Sequence, residues 1–427
     1  MHHKRPMNQR KKVVVIGGGF AGIQLIRNLD EAQFDVILID KINHHQFQPL
    51  FYQVATSQVE PSSISFPLRN IFRKKPNVRI RMGTVLRVDS AAKKVETTIG
   101  AFDYDLLVVA IGCTTNFYGN TNIAANALTL KSTSDAIAIR NHILTIFENV
   151  LASPEEDKER LLNFVIVGAG PTGVELAGAF AEIKRNVLPK DYRYIDFSQM
   201  NVILVEGSTH TLNNMSMNAK TASEEYLKEL GVIIRTETFV KDYDGRLLTL
   251  STGETLHTST VIWAAGVTGN RIAGFEAESL AQGNRLRVDR YNKVMHTKDV
   301  YALGDIAYME TPSYPKGHPQ VANVAVNQAK LLAKNLNCIV SGKKQREYEY
   351  KDLGSMATIG QHKAVVDLPF VRFKGYFAWI IWMFLHLMLI LSVKNKLIIF
   401  INWAWSYVTK NSSLRLILGP TKTTNVA

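Results

Sequence analysis

The chain has 427 residues, enough for about two to three domains, and its 46% hydrophobic and 20% charged residues suit a globular protein rather than a disordered one. A net charge of +13, from 50 basic against 37 acidic residues, points to an anionic partner. The two cysteines, Cys113 and Cys338, lie far apart and lack Cys-x-x-Cys or metal-type spacing, which excludes a disulfide framework; no metal site is expected.

Met1 to Lys12 is basic but has no apolar core of the kind a secretory signal needs, so it reads as a solvated tail. Val13-Val14-Val15-Ile16 is an unbroken apolar strand, followed by the loop Gly17-Gly18-Gly19-Phe20-Ala21-Gly22 and a helical stretch. Val36 to Asp40 is a second strand ending in an acid, and Asp105 to Gly112 a later one ending in glycine. Residues 151–160 form a polar stretch. The same order then recurs: the strand Phe164 to Val167, the loop Gly168-Ala169-Gly170-Pro171-Thr172-Gly173, a helix, the strand Val202 to Glu206, and a late strand ending Ala264-Ala265-Gly266. The loops are 151 positions apart (Gly17 to Gly168) and the late glycines 154 (Gly112 to Gly266), so two domains share one architecture.

Unbroken apolar strands alternating with helices indicate parallel sheets covered on both faces. The expected fold is α/β: two Rossmann-like dinucleotide-binding domains plus a C-terminal membrane-associating helical segment. In each loop the first glycine (Gly17, Gly168) permits the tight turn. The second (Gly19, Gly170) lets the backbone approach a pyrophosphate. The third (Gly22, Gly173) lets helix and strand pack closely. The pyrophosphate then sits at a helix N-terminus. Asp40 or Glu206 can accept hydrogen bonds from ribose hydroxyls. These acids follow Gly17 by 23 residues and Gly168 by 38, and the longer spacing calls for an extended helix or an insertion. Glu206 favours NADH over NADPH, because a carboxylate repels a 2′-phosphate and no arginine follows it immediately, the next residues being Gly207-Ser208-Thr209-His210.

The C-terminal region is the most apolar part of the chain. After Asp367 come seven basic residues (Arg372, Lys374, Lys394, Lys396, Lys410, Arg415 and Lys422) and no acid, which suits an anionic lipid surface rather than nucleic acid. Gly375 to Val393 carries no charge when His386 is neutral. At about 1.5 Å per residue it extends roughly 28 Å, close to a bilayer core. From Lys394 to Lys410, Asn395, Asn402, Ser406 and Thr409 share one helix face. Leu397, Phe400, Ile401, Trp403, Ala404, Trp405 and Val408 fill much of the rest. Trp403, Trp405 and Tyr407 suit headgroup depth, with Lys396 and Lys410 reaching anionic lipid. We read the segment as lying on the membrane; a spanning helix and a dimer core are the alternatives.

The double loop resembles that of the flavoproteins with two dinucleotide-binding domains, in which the first loop holds FAD and the second the nicotinamide. Val300-Tyr301-Ala302-Leu303-Gly304-Asp305 is similar to their second FAD motif, with Asp305 on the ribityl chain and Gly304 close to the flavin. The disulfide reductases, single-cysteine peroxidases and sulfide:quinone reductases of this class need reactive thiols. Asn43-His44-His45-Gln46-Phe47-Gln48-Pro49-Leu50-Phe51-Tyr52-Gln53-Val54-Ala55-Thr56 has none. That stretch resembles the signature of type II NADH dehydrogenases, the non-electrogenic NADH:quinone oxidoreductases, and the likeness covers residues 11–410. It implies FAD at Gly17, Gly19, Phe20, Ala21, Gly22, Asp40, Lys41, Gln48, Gly112, Gly304, Asp305 and Ala322. It implies NADH at Gly168, Gly170, Thr172, Gly173, Glu206, Ala265 and Gly266.

The family's Ala-Gln-x-Ala-x-Gln-Gln-Gly-like run near the flavin is here Ala322-Asn323-Val324-Ala325-Val326-Asn327-Gln328-Ala329. The quinone-contacting amides would be Asn323 and Asn327, each one methylene short, with tying down the helix as their other reading. The family places a glutamate near flavin and nicotinamide where this chain has Glu175, read as delivering a proton or positioning the rings. An acid in the first turn also stabilises its helix. His44 and His45 read as structural. The expected domains are 1–125 with 284–341 for FAD, 126–283 for NADH, and 342–427 for membrane anchoring. The expected partners are a membrane quinone, anionic lipid and a second copy in a homodimer, at the cytoplasmic face of the inner membrane. A reductase for a soluble acceptor and a membrane-attached NADH sensor that keeps FAD structurally are the competing functions.

Overall fold

The computed structural model describes residues 10–409 and 414–417. Most of the basic tail before Arg10, and Lys410 and Lys422 near the other end, therefore lie outside the described residues. The chain divides into two compact units, with Phe66–Thr114 and Val267–Asp352 joining the segment up to His45 in the first. The second holds Gln46–Ser65, Thr115–Gly266 and the chain from Leu353 on.

In chain order, β1 (Lys11–Ile16), α1 (Phe20–Asn28) and β2 (Phe34–Asp40) carry the first loop, and α2 (Phe51–Ala55) follows. Next come β3 (Val78–Met82), β4 (Leu106–Val109), β5 (Leu128–Thr129) and the long α3 (Thr133–Ala152). The second loop lies between β6 (Asn163–Val167) and α4 (Pro171–Asn186), followed by β7 (Asn201–Val205), β8 (Val232–Arg235) and β9 (Thr260–Trp263). The rest is β10 (Val300–Ala302), α5 (Ala322–Val340), three short strands β11 (Ser355–Thr358), β12 (Ala364–Asp367) and β13 (Arg372–Gly375), then α6 (Tyr376–Leu389) and α7 (Val393–Thr409).

Each unit is built on one five-stranded parallel sheet. The first unit's order is β10-β4-β1-β2-β3 and the second's is β5-β9-β6-β7-β8. The positions correspond strand for strand, with Val13 paired to Val36 in one sheet and Val165 to Ile203 in the other. Only the outermost strand differs in origin: β10 comes from late in the chain, whereas β5 precedes its own glycine loop. The central strands are buried on both faces, as Val13 to Val15 and Phe164 to Ile166 show. The long gap before Glu206 is filled both ways expected, by the 16-residue α4 and by short helical turns at Leu188–Asp191 and Phe197–Gln199.

The division of the chain differs from the expected one in two respects. The crossings fall at 114/115 and 266/267, and Gln46–Ser65 and the C-terminal segment group with the second unit. The cause is packing: α2 rests on α3 and α4, and α7 on the turn Pro61–Ile64. The polar stretch 151–160 is mostly helical, taking in the end of α3 and most of a helix at Glu155–Leu162.

At the third glycine of the first loop, a Cβ on Gly22 would lie 1.9 Å from the Gly17 carbonyl oxygen. A Cβ on Gly19 would meet nothing within 4 Å. Gly22→Ala is therefore expected to destabilise the chain by at least about 1–3 kcal/mol, through forced movement of backbone, while Gly19→Ala leaves stability nearly unchanged. Denaturant midpoints of the two variants measure this; equal midpoints would show that the loop yields.

Candidate active site

The two loops are built alike, down to their hydrogen bonds. Gly17 and Gly168 turn with φ of +103° and +100°, which an L side chain rarely adopts. In the first unit, Asp40 accepts from Gly18 N–H at 2.5 Å through one oxygen and from Ile42 N–H at 2.9 Å through the other. In the second, Glu206 accepts from Ala169 N–H at 2.6 Å and from Ser208 N–H and Oγ–H at 2.8 and 2.7 Å. Each acid thus braces the middle of its own loop. Burial pushes the Asp40 carboxyl above the ordinary aspartate value, while the two backbone N–H donors pull the other way. Gly19 and Gly170 begin their helices without a side-chain cap, and a Cβ on either would enter open space. Those free N–H groups fit an anionic pyrophosphate.

The expected sites sort by unit. Gly17 to Gly22, Asp40, Lys41, Gly112, Gly304, Asp305 and Ala322 all fall in the first unit; Gln48 falls in the second, where it is exposed. Gly304 N–H donates to Gln328 Oε1 at 2.8 Å, and the Asp305 carbonyl accepts from Gln320 Nε2 at 3.1 Å, which ties the motif to the start of α5. The Cys113 thiol donates to Asp305 Oδ2 at 3.0 Å. Gly168, Gly170, Thr172, Gly173, Glu206, Ala265 and Gly266 all fall in the second unit. The end of its late strand lies against the loop: a Cβ on Gly168 would come within 2.8 Å of Ala265.

Asn327 Nδ2 donates to Asn323 Oδ1 at 2.7 Å, so these two amides bind each other along α5. His45 is buried under the first loop, with Nδ1 3.2 Å from the Gly18 carbonyl and its ring edge-on to Phe20. Burial lowers its pKa to about 4, so it is a neutral structural residue, as expected.

Within the second unit, Glu175 opens onto a solvent-connected cavity, with about 520 Å³ of open space including solvent, that sequence reasoning did not identify. Tyr52, Gln53, Glu182, Trp382 and Trp403 share its wall. Trp403 Nε1–H donates to Gln53 Oε1 at 2.8 Å, and Gln53 Nε2 to the Tyr52 hydroxyl at 3.0 Å. That hydroxyl lies 2.9 Å from Thr358 Oγ1, and Thr358 N–H makes a long 3.5 Å contact to Glu175 Oε1. A polar chain therefore links α7 to Glu175. Burial pushes the Glu175 carboxyl up to about 8 and the Glu182 carboxyl to about 7, the latter against a hydrogen bond from Gln361 N–H. Glu182 follows Glu175 by seven residues on α4, a spacing of two helical turns that places both on one face. That spacing was the available signal.

The C-terminal helices turn out differently from the expected face assignment. Asn395 and Ser406 point inward, Asn395 donating to the Ser62 and Ser63 carbonyls at 3.2 and 2.9 Å and Ser406 accepting from Gln361 at 3.2 Å. Trp403 is buried in the cavity wall rather than placed for a headgroup. Leu397, Phe400, Ile401, Trp405 and Val408 remain 54–79% exposed. The largely apolar α6 buries only Ala378 and Trp382, four residues apart. Much of the tail's positive charge is directed at the protein: Arg415 pairs with Asp191, Lys374 with Glu225, and Lys396 caps the Met388 carbonyl. Among the described residues no helix is long and apolar enough to cross a membrane.

Comparison with known proteins decides the family. Residues 11–329 match the pyridine nucleotide-disulphide oxidoreductase model, and residues 353–410 the NDH2 C-terminal domain. The type II NADH:quinone oxidoreductase Ndh of Mycobacterium tuberculosis is 34% identical over 94% of this chain and 89% of its own. The chain belongs to the type II NADH:quinone oxidoreductases. A Staphylococcus aureus member is 28% identical over 86% of this chain and 93% of its own. The structure of NDH2 from Plasmodium falciparum in complex with NADH superposes with a TM-score of 0.88 at 22% identity, over 96% of this chain and all of that one, and so shares its fold. The C-terminal match begins at Leu353, where the last segment of the second unit also begins.

A buried acid whose pKa is raised on folding stabilises the folded state fully below its unfolded value, here about 4.5, and loses that contribution as the pH rises through its folded value. Glu175 and Glu182 thus lower stability across pH 4.5 to about 8. Glu175→Gln, which keeps an acceptor for Thr358, is expected to melt above the wild type at pH 8 and to lose that advantage at pH 4.5. Calorimetric melting at the two pH values checks this; parallel curves would remove the buried-acid assignment.

Proposed function

We propose that this chain oxidises NADH and reduces a membrane quinone through FAD, at the cytoplasmic face of the inner membrane and without pumping protons. The carrying observation is the cavity in the second unit that joins Glu175, on the helix of the second glycine loop, to tryptophans of the C-terminal helices. The residues present fit the cofactor: the first loop leaves a Cβ-sized gap at Gly19 with uncapped N–H groups, braced by Asp40, and Gly304 and Asp305 are tied to α5. Bound there, FAD supplies hydride acceptance and onward two-electron delivery.

The chain's own residues supply position and protons. The second loop receives the NADH pyrophosphate, and Glu206 faces the adenosine ribose, where a 2′-phosphate would meet its charge. Each turnover consumes two electrons and two protons at the quinone, so a proton beyond the transferred hydride is needed. Glu175, held neutral by burial at pH 7, can give one. The chain through Thr358, Tyr52 and Gln53 offers hydroxyl and amide partners along which the carboxyl is kept oriented. Asn323 and Asn327 would have to break their mutual bond to meet a quinone carbonyl, and we keep them as quinone contacts on that condition.

The exposed faces of α6 and α7 suit a lipid surface that supplies the quinone, since a soluble protein rarely leaves so large an apolar patch bare. A reductase for a soluble carrier would have no use for that face. The homodimer belongs to the same proposal.

In turnover with a short-chain quinone, kcat/KM for NADH is expected to exceed that for NADPH by at least about tenfold. Glu175→Gln should keep its flavin absorbance and lose at least about tenfold in quinone reduction. Equal use of both nucleotides sinks the Glu206 assignment, and unchanged turnover sinks that of Glu175. The triple change Leu397→Glu, Ile401→Glu and Trp405→Glu is expected to abolish co-sedimentation with anionic vesicles. Retained binding would remove the membrane face.

A further inference from the structure

A second cavity in the same unit, with about 630 Å³ of open space, is lined by residues of α3 and α4 together with Ser406 of α7 and Arg415. It shares Glu182 and Gln361 with the first cavity, but neither Glu175 nor the tryptophans reach it. Arg140, in the middle of α3, lies on its wall with only 2% of its surface exposed. Its Nε and Nη2 have no hydrogen-bond partner, and it forms no ion pair among the described residues. Glu60 attracts it only at longer range. Arg415, the other cation at the wall, is paired with Asp191.

A desolvated guanidinium without an anion is strongly unfavourable, and arginine cannot relieve it by losing a proton. The planar fork matches an oxyanion through two parallel bonds. The rest of the wall is unlike a phosphate site: Ile143, Phe147, Phe180 and Leu188 present apolar surface beside Arg140.

We propose that this cavity binds a single-chain amphiphile with an oxyanion head, the head held by Arg140 and the chain laid against Ile143, Phe147, Phe180 and Leu188. A free fatty acid and a lysophospholipid share this chemistry. The site neither uses nor needs the quinone reading above.

The test is calorimetric titration of the delipidated, flavin-loaded full chain in non-ionic detergent with palmitate, palmitoyl lysophosphatidate, cetyl alcohol and inorganic phosphate. One charged amphiphile per chain is expected, bound at least about tenfold more tightly than cetyl alcohol or phosphate. The tighter of palmitate and lysophosphatidate identifies the source. Arg140→Met should weaken the charged amphiphile at least about tenfold and leave cetyl alcohol unchanged. The variant loses an unpaired buried charge, so its ligand-free thermal midpoint should equal or exceed that of the wild type. A lower midpoint, which would mean that the guanidinium is paired inside the fold, overturns the proposal, as does equal binding by both proteins. In the wild type, a diazirine palmitate should label residues 140–147 or 180–188 until excess palmitate displaces it; label confined to other peptides overturns the site without any variant.

Discussion

The bond from a strand-end carboxylate to the backbone of a glycine loop is the interaction on which both halves of this molecule rest. Asp40 and Glu206 leave different strands, yet each accepts from the N–H of the residue after its turning glycine. A loop of small residues has little side-chain packing to hold its shape. The acid supplies that hold and fixes the spacing between the ends of two adjacent parallel strands. The third glycine then locks the helix onto the turn, because no Cβ fits between Gly22 or Gly173 and the carbonyl at the start of its loop. With the turn rigid, the helix N-terminus points at one place, and an anion there needs no further cation.

The same economy does not apply to Glu175. It sits on a helix whose orientation is already fixed by Gly173, and it meets a wall supplied from the far end of the chain. Burial, rather than a charged neighbour, raises its pKa, and the amide of Thr358 only partly offsets that. Such a group depends on its cover: Trp382, Trp403 and the strand bearing Thr358 exclude water, and without them the carboxyl would ionise in the ordinary range. The C-terminal segment therefore has two jobs on opposite sides. Its inward residues are Ala378 and Trp382 on one helix and Ile399 and Trp403 on the other, and of these the two tryptophans line the cavity. Its outward apolar residues are left for another surface.

What could be read in the sequence was whatever depends on local backbone geometry. Glycine spacing, strand-end acids and unbroken apolar runs placed both sheets and both loops, because a positive φ or a close approach leaves few residue choices. The unit boundaries were not legible. Gln46–Ser65 joins the second unit through side-chain packing on α3 and α4, and nothing in its own composition signals that. The face assignment of α7 failed for a related reason. A polar stripe on an amphipathic helix looks the same whether it meets water or a protein wall. Asn395 and Ser406 find carbonyl and amide partners inside, so the helix is turned with its apolar side out.

Arg140 shows the limit most clearly. In sequence it is one arginine in a mixed helix, Thr133–Ala152, where a solvated charge is the ordinary reading. Only three-dimensional burial makes it unusual, because only then does the lack of a directly paired carboxylate among the described residues carry a cost. The same physics separates it from Arg285, which is also buried but gives Nη2 to the Ala307 and His318 carbonyls at 2.6 and 3.1 Å. One guanidinium has partners within its own fold and so has a structural task. The other lies on the wall of a cleft beside apolar side chains, and its Nε and Nη2 meet no hydrogen-bond partner among the described residues.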